Sequence, residues 1–244
     1  MSKEQDEKPA IGMLCWDGTG INLSQFEVLP GNSTNPGTFS FPLTYGRVPG
    51  ANFQTVVRCP DPRVLRASIS AARDMAASGV RAITTSCGFN AIFQAELADA
   101  VSVPVFASSL LQVPMVWQML CSDQAVGIVT AQAACLTPSH LGKVGIDASV
   151  PVRIAGIGDT GEFAKVQDDP DAVLDGGKFV DEVVDRAWGL AQQHPEVGAF
   201  VLECTDLPPA SATIRRVTGL PVFDIVTLVN MVYEAVAGTG FAKP

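Results

Sequence analysis

The sequence predicts an α/β protein made of two similar parallel-sheet domains related by pseudo-twofold symmetry, with the active site in the cleft between them. Three observations predict it: an internal repeat, short apolar strands alternating with amphipathic helices, and a cysteine at the same place in each copy. Residues 80–106 (VRAITTSCGFNAIFQAELADAVSVPVF) lie without gaps on residues 197–223 (VGAFVLECTDLPPASATIRRVTGLPVF). Seven of those 27 positions are identical, namely Val80/Val197, Ala82/Ala199, Cys87/Cys204, Ala95/Ala212, Pro104/Pro221, Val105/Val222 and Phe106/Phe223. Average composition gives about two. A shorter match pairs AIGML at 10–14 with AVGIV at 125–129.

Each half reads as strand, helix, strand, helix, strand. In the first, IGML is a buried strand, and Asp61-Pro62 supplies an N-cap and a first-turn proline for a helix that stops at Gly79. RAITTS is the next strand and ends at Cys87. Gly88 to Ala100 carries Ile92, Phe93, Ala95, Leu97 and Ala98 at helical spacing, and Val103 to Phe106 closes the half. In the second half VGIVT opens, Phe179 to Gln193 forms an amphipathic helix, and AFVLE runs to Cys204. There Asp206 reads as a helix cap, with Pro208 in the first turn. Strands so short and apolar, alternating with helices, imply parallel sheets covered on both faces, a Rossmann-like layering. The expected division is a frayed tail at 1–9, a first domain at 10–107 and a second at 108–224. Residues 17–60 form a long Gly-, Pro- and Asn-rich connection of the kind that often carries function, although a short strand within it would be equally ordinary.

Composition closes several classes of function. With 16 basic against 25 acidic residues the formal charge is −9, which argues against nucleic acid or an anionic membrane surface as partner. The charged first nine residues do not read as a secretory signal. The most apolar runs last about a dozen residues, against roughly 20 needed to cross a bilayer. A soluble, cytoplasmic protein is expected. Six cysteines are spread without a C-x-x-C pair and only two histidines are present, so neither disulfides nor a metal site is expected. The chain has neither a phosphate-binding G-x-x-x-x-G-K-[ST] loop nor a G-x-G-x-x-G fingerprint, and no cofactor is expected. Nine acidic residues between Asp159 and Asp185 read as a solvated face.

Cys87 and Cys204 each stand where a strand gives way to a helix, the end of an open parallel sheet at which ligands bind. Free N–H groups and the positive helix end there favour thiolate and can hold a carboxylate. Two thiols facing each other across a cleft suit proton transfer at a carbon: one removes a proton from one face and the other delivers one to the opposite face. Donors for the substrate surround them, with Thr84, Thr85, Ser86 and the N–H groups of Gly88 to Asn90 at the first cysteine, and Thr205 and Asp206 at the second.

At these residues the chain resembles the cofactor-independent aspartate/glutamate racemase superfamily, which also includes hydantoin racemase, maleate isomerase and arylmalonate decarboxylase. The resemblance runs from IGML through SCGFN and ECTDLPP to GLPVFD. Cys204-Thr205 matches the second racemase motif, and Asp17-Gly18-Thr19-Gly20 resembles the acidic Gly-rich turn of glutamate racemases. Two departures concern the substrate: Gly88-Phe89 stands between Cys87 and Asn90, and Asp206 replaces the histidine that follows the second motif. The resemblance implies Cys87 and Cys204 as acid/base residues, a site between two domains, and a closing helix at 225–241 that returns to the first domain.

The expectation is therefore an isomerase, a racemase or epimerase of a small carboxylate such as an amino acid, with Cys87 and Cys204 exchanging roles. Asp17, Thr85, Ser86, Gly88, Asn90, Thr130, Thr205 and Asp206 are the expected binding residues. A maleate-type cis-trans isomerase, a hydantoin racemase and a non-catalytic acid-binding protein stand as alternatives, and homodimerisation is left open. Cys15 reads as a wall residue whose counterpart is Thr130. Cys59, Cys121 and Cys135 read as packing residues, and Arg47 as exposed, with pairing to a second carboxylate as its other reading. His140 and His194 are explained by local structure.

Overall fold

The computed structural model describes residues 9–17, 24–158, 161–169 and 171–237. The expected tail, apart from Pro9, lies outside them, as do Gly18 to Gly20 of the acidic turn and the last residues of the expected closing helix. The first half runs β1 (Ile11–Trp16), α1 (Ser24–Glu27), β2 (Leu43–Val48), α2 (Pro62–Ser78), β3 (Ala82–Thr85), α3 (Gln94–Asp99), β4 (Val105–Phe106) and α4 (Gln112–Gln118). The second runs β5 (Ala125–Thr130), α5 (Pro138–Lys143), β6 (Val152–Gly156), α6 (Gly161–Asp168), α7 (Gly176–Gln193), β7 (Val197–Leu202), α8 (Ser211–Thr218), β8 (Val222–Phe223) and α9 (Ile225–Ala237). The two sheets share one parallel topology, β2-β1-β3-β4 and β6-β5-β7-β8. The repeat is thus structural: β3 and β4 occupy in one sheet the places of β7 and β8 in the other.

Local chemistry sets the element ends. Asp61 accepts a hydrogen bond from the Arg63 N–H at 2.7 Å and Gly79 closes α2 at φ +99°, so cap and stop sit where the sequence puts them. The buried face of α2 presses Met75 onto the sheet. A Cβ on Gly12 or Gly46 would stand 2.6 Å from the Met75 side chain, so these strand glycines admit the helix. The segment after Cys87 departs from the expected helix: it begins as a 3-10 turn over Gly88–Phe93 and becomes α-helical only at Gln94. Strand β6 was not expected, and β2 falls in the 17–60 connection, where a short strand was the other reading. Both are edge strands with half-exposed faces and an arginine each, Arg47 and Arg153, and so lack the apolar run that marks the central strands.

The halves are tied together. Ile225, Leu228 and Val229 of α9 pack with Ile11, Ala82 and Phe106, so the last helix covers the first sheet. In the other direction, α1 crosses to the second half. Gln25 donates to the Ala172 carbonyl at 2.8 Å and accepts from the Leu174 N–H at 2.6 Å. Phe26 sits edge-on to Phe179 at 5.2 Å and beside Phe163 at 5.7 Å. Among the described residues, no helix is long and apolar enough to cross a membrane. Phe26 is 1% exposed, and replacing it with alanine is expected to cost about 3–5 kcal/mol, read as a lower urea midpoint than that of native protein.

Candidate active site

The carboxyl ends of β1, β3 and β7 converge on one pocket, the place where open parallel sheets bind ligands. Its floor holds Cys87 and Cys204. Trp16, Phe26, Phe53, Phe89 and Phe163 give aromatic walls, and Glu27, Arg47, Glu203 and Asp206 line it with charge. The two cysteine-bearing turns lie against each other. Thr205 Oγ1 donates to the Ser86 carbonyl at 2.6 Å and Ser109 Oγ to the Leu202 carbonyl at 2.6 Å. A Cβ on Gly88 would collide with the carbonyl oxygen and Oε1 of Glu203, so only glycine admits this approach.

Cys204 Sγ lies 3.9 Å from Asp206 Oδ2 and donates its thiol to it. The other oxygen, Oδ1, accepts from Asn32 Nδ2 at 2.8 Å. The side chain of Asn32 is fixed in turn, its Oδ1 accepting from the N–H and Oγ1 of Thr34, both at 2.9 Å. Burial pushes Asp206 up to about 6. Burial likewise raises Glu203 to about 7, against the hydrogen bond that Thr130 Oγ1 donates to its Oε2 at 2.6 Å. Both cysteines stand well above the ordinary thiol range, first through desolvation and then through the neighbouring carboxylates of Glu203 and Asp206. The expected preference for thiolate is therefore reversed. The N–H groups of Phe89 and Asn90 at Cys87, and of Asp206 at Cys204, oppose that rise without overcoming it.

Of the expected residues, Cys87, Cys204, Ser86, Gly88, Thr205 and Asp206 line the pocket. The other four lie outside its lining. Asp17 accepts from the Gly50 N–H at 3.2 Å at the surface. Thr85 Oγ1 spends itself on the carbonyls of Cys87 and Ala107, Asn90 gives its N–H to the Cys87 carbonyl, and Thr130 holds Glu203. Asp206 is not the helix cap expected of it, for the 3-10 turn Pro208–Ala210 begins after Leu207. Cys15 is a pocket wall, but Cys59 and Cys121 are exposed rather than packed. Glu203 is the residue the sequence reading missed, although a carboxylate closing so apolar a strand was its signal. Glu27 and Asn32 come from the long connection, where nothing local marks them. His140 is buried with its Nδ1 2.8 Å from Thr137 Oγ1, edge-on to Phe89.

Fold and site define a two-cysteine α/β protein of the racemase fold. An arylmalonate decarboxylase variant superposes with TM-score 0.63 at 19% identity, covering 97% of each chain. Allantoin racemase from Klebsiella pneumoniae gives TM-score 0.64 at 15% identity over 96% of this chain and 90% of its own. Glutamate and aspartate racemases share the fold as well. No family model matches the chain.

Sequence relatives narrow the family. A dimethylsulfoniopropionate lyase from Durusdinium sp. clade D is 30% identical over 207 residues, 82% of this chain and 68% of the relative. Dimethylsulfoniopropionate lyase 6 from Emiliania huxleyi is 33% identical over 211 residues, 82% of this chain; the chain spans about half that relative's length, 54%. The chain belongs to the dimethylsulfoniopropionate lyase family. The expectation of an amino-acid racemase, with its place in amino-acid metabolism, is thereby overturned. The resemblance gave the fold, which the solved neighbours share, and the reaction did not follow from it. The relatives and fold neighbours are enzymes, and the sequence relatives are lyases by name rather than isomerases.

Two outcomes follow from the geometry. Gly88→Ala forces backbone apart at the Glu203 carbonyl and is expected to destabilise by about 1–3 kcal/mol, read by urea denaturation. Asp206 and Glu203 bind their protons more tightly in the folded than in the unfolded chain. Their stabilisation is complete below about pH 4 and is lost as pH rises through 6 and then 7. The unfolding free energy from urea titrations should fall across that interval by on the order of a few kcal/mol, and fall less in a D206N/E203Q double variant.

Proposed function

We propose that the protein is a dimethylsulfoniopropionate lyase, eliminating dimethyl sulfide from that zwitterion and leaving acrylate. The observation that carries the reading is the charge layout around the thiol pair. The substrate named by the relatives has a sulfonium cation at one end and a carboxylate at the other. Aromatic faces and carboxylates suit the cation, and Arg47, the one cation among the described lining residues, suits the carboxylate.

Elimination needs a base at the carbon next to the carboxylate. In this reading Cys204 is that base, supported by Asp206, which accepts its thiol hydrogen and can take that proton as the sulfur engages the substrate. The Cys204 thiolate removes the proton. The C–H pair becomes the carbon–carbon double bond, and the C–S pair leaves with sulfur as neutral dimethyl sulfide. The abstracted proton stays on Cys204 and the one on Asp206 passes to water. Arg47 stabilises the charge that develops on the substrate carboxylate. Only one base is required, so Cys87 has no need to exchange roles with Cys204.

Headspace measurement of dimethyl sulfide from dimethylsulfoniopropionate tests the reading. Native protein is expected to release it, with kcat/KM rising around pH 6 as Asp206 ionises. Cys204→Ser should lower kcat by about 10²–10⁴-fold, and Asp206→Asn should remove the rise near pH 6. No dimethyl sulfide from native protein, or a Cys204→Ser variant as active as native, overturns it.

A further inference from the structure

Glu203 transfers no proton in that elimination, yet its charge acts on both thiols. It closes β7 and precedes Cys204 in the chain, while Gly88, next to Cys87, presses on its carbonyl and carboxylate. It is fully buried at 0% exposure, with Oε2 held by Thr130 at 2.6 Å. The residue lines the pocket, and its Oε1, which lies against Gly88, has no hydrogen-bond partner among the described residues. A buried carboxylate with one oxygen unmatched is costly to keep. The charged and titratable groups around it are Asp206, Cys87 and Cys204, with Glu27 and Arg47 farther along the pocket lining.

We infer that Glu203 is a positioning residue that makes ionisation of the cysteine pair conditional on a cationic substrate, so that both thiols are neutral once the cation has left. The inference rests on the lyase reading for the identity of substrate and product. With the Cys204 proton on Asp206, the Glu203 carboxylate still disfavours the thiolate by like charge. A sulfonium entering the pocket cancels that repulsion and releases a thiol to act as base. Elimination converts the cation into neutral dimethyl sulfide and leaves anionic acrylate, so the carboxylates again oppose thiolate.

The timing matters because acrylate is an electrophile. A thiolate, unlike a thiol, adds to its terminal carbon: the S–C bond forms, the double-bond pair moves to the carbon beside the carboxylate, and water supplies the proton there. The product of that addition is a carboxyethylated, inactive cysteine. Glu203 restricts thiolate to the interval when the substrate, not the product, is present.

The test compares native protein with Glu203→Gln and Thr130→Val, the second removing the donor that favours the ionised carboxylate while leaving Glu203 in place. Thiolate is titrated by its ultraviolet absorbance, and acrylate adducts on Cys87 and Cys204 are mapped by mass spectrometry after exposure near pH 8. In Glu203→Gln the thiolate midpoint is expected to fall by about one pH unit and adduct formation to quicken about tenfold. Thr130→Val should move both the same way by less. Adding 3-(trimethylammonio)propanoate, a zwitterion of the same layout with a poorer leaving group, should raise thiolate absorbance in native protein and change it little in Glu203→Gln. Native-like titration and adduct rates in both variants overturn the inference, as does native protein whose thiolate absorbance ignores the added zwitterion. None of these readouts needs turnover, so a protein that releases no dimethyl sulfide refutes the lyase reading separately.

Discussion

Gly88 against Glu203 is the contact on which the arrangement of the site depends. Two chain segments, each leaving the end of a central strand, approach so closely that a methyl group at 88 has no room. The hydrogen bonds from Thr205 to Ser86 and from Ser109 to Leu202 hold that approach from both sides. Because Cys87 and Cys204 are the immediate neighbours of the touching residues, the contact places both thiols in one pocket. The duplicated topology makes this geometry available: equivalent strand ends in the two sheets deliver equivalent turns.

The same closeness creates the electrostatics. Glu203 and Asp206 flank Cys204 in the chain, and the apposition brings them to Cys87 as well. Desolvation and like charge then act together, raising every acid in the cluster. A helix-start cysteine in isolation would tend toward thiolate; buried among carboxylates it stays a thiol. The racemase-type fold is common to decarboxylases and racemases with unlike reactions, so it is the residues around the thiols that distinguish one chemistry from another.

The connection between β1 and α2 has two roles. It supplies an edge strand carrying Arg47, and it sends α1 and Asn32 across to the second half. Phe26 seats between Phe163 and Phe179 while Asn32 orients Asp206. One segment therefore closes the pocket and sets the carboxylate that faces Cys204. A long irregular loop in a compact fold is affordable when both of its faces are used in this way.

The internal repeat, the buried central strands, the capped helix at 62–78 and the pairing of Cys87 with Cys204 could all be read from the sequence alone. Each rests on local identity, periodicity or capping chemistry, which neighbouring residues determine. Strands β2 and β6 could not be placed, since an edge strand shows no continuous apolar run, and neither could Glu27 or Asn32, whose surroundings depend on residues far away in the chain. Asp206 illustrates the divide. Its position before Leu-Pro-Pro suggested a cap, whereas the fold turns its carboxylate toward a thiol on one side and Asn32 on the other. The thiols themselves were visible in the sequence, but their protonation was decided by the tertiary structure, because burial and through-space charge have no signature in a linear pattern.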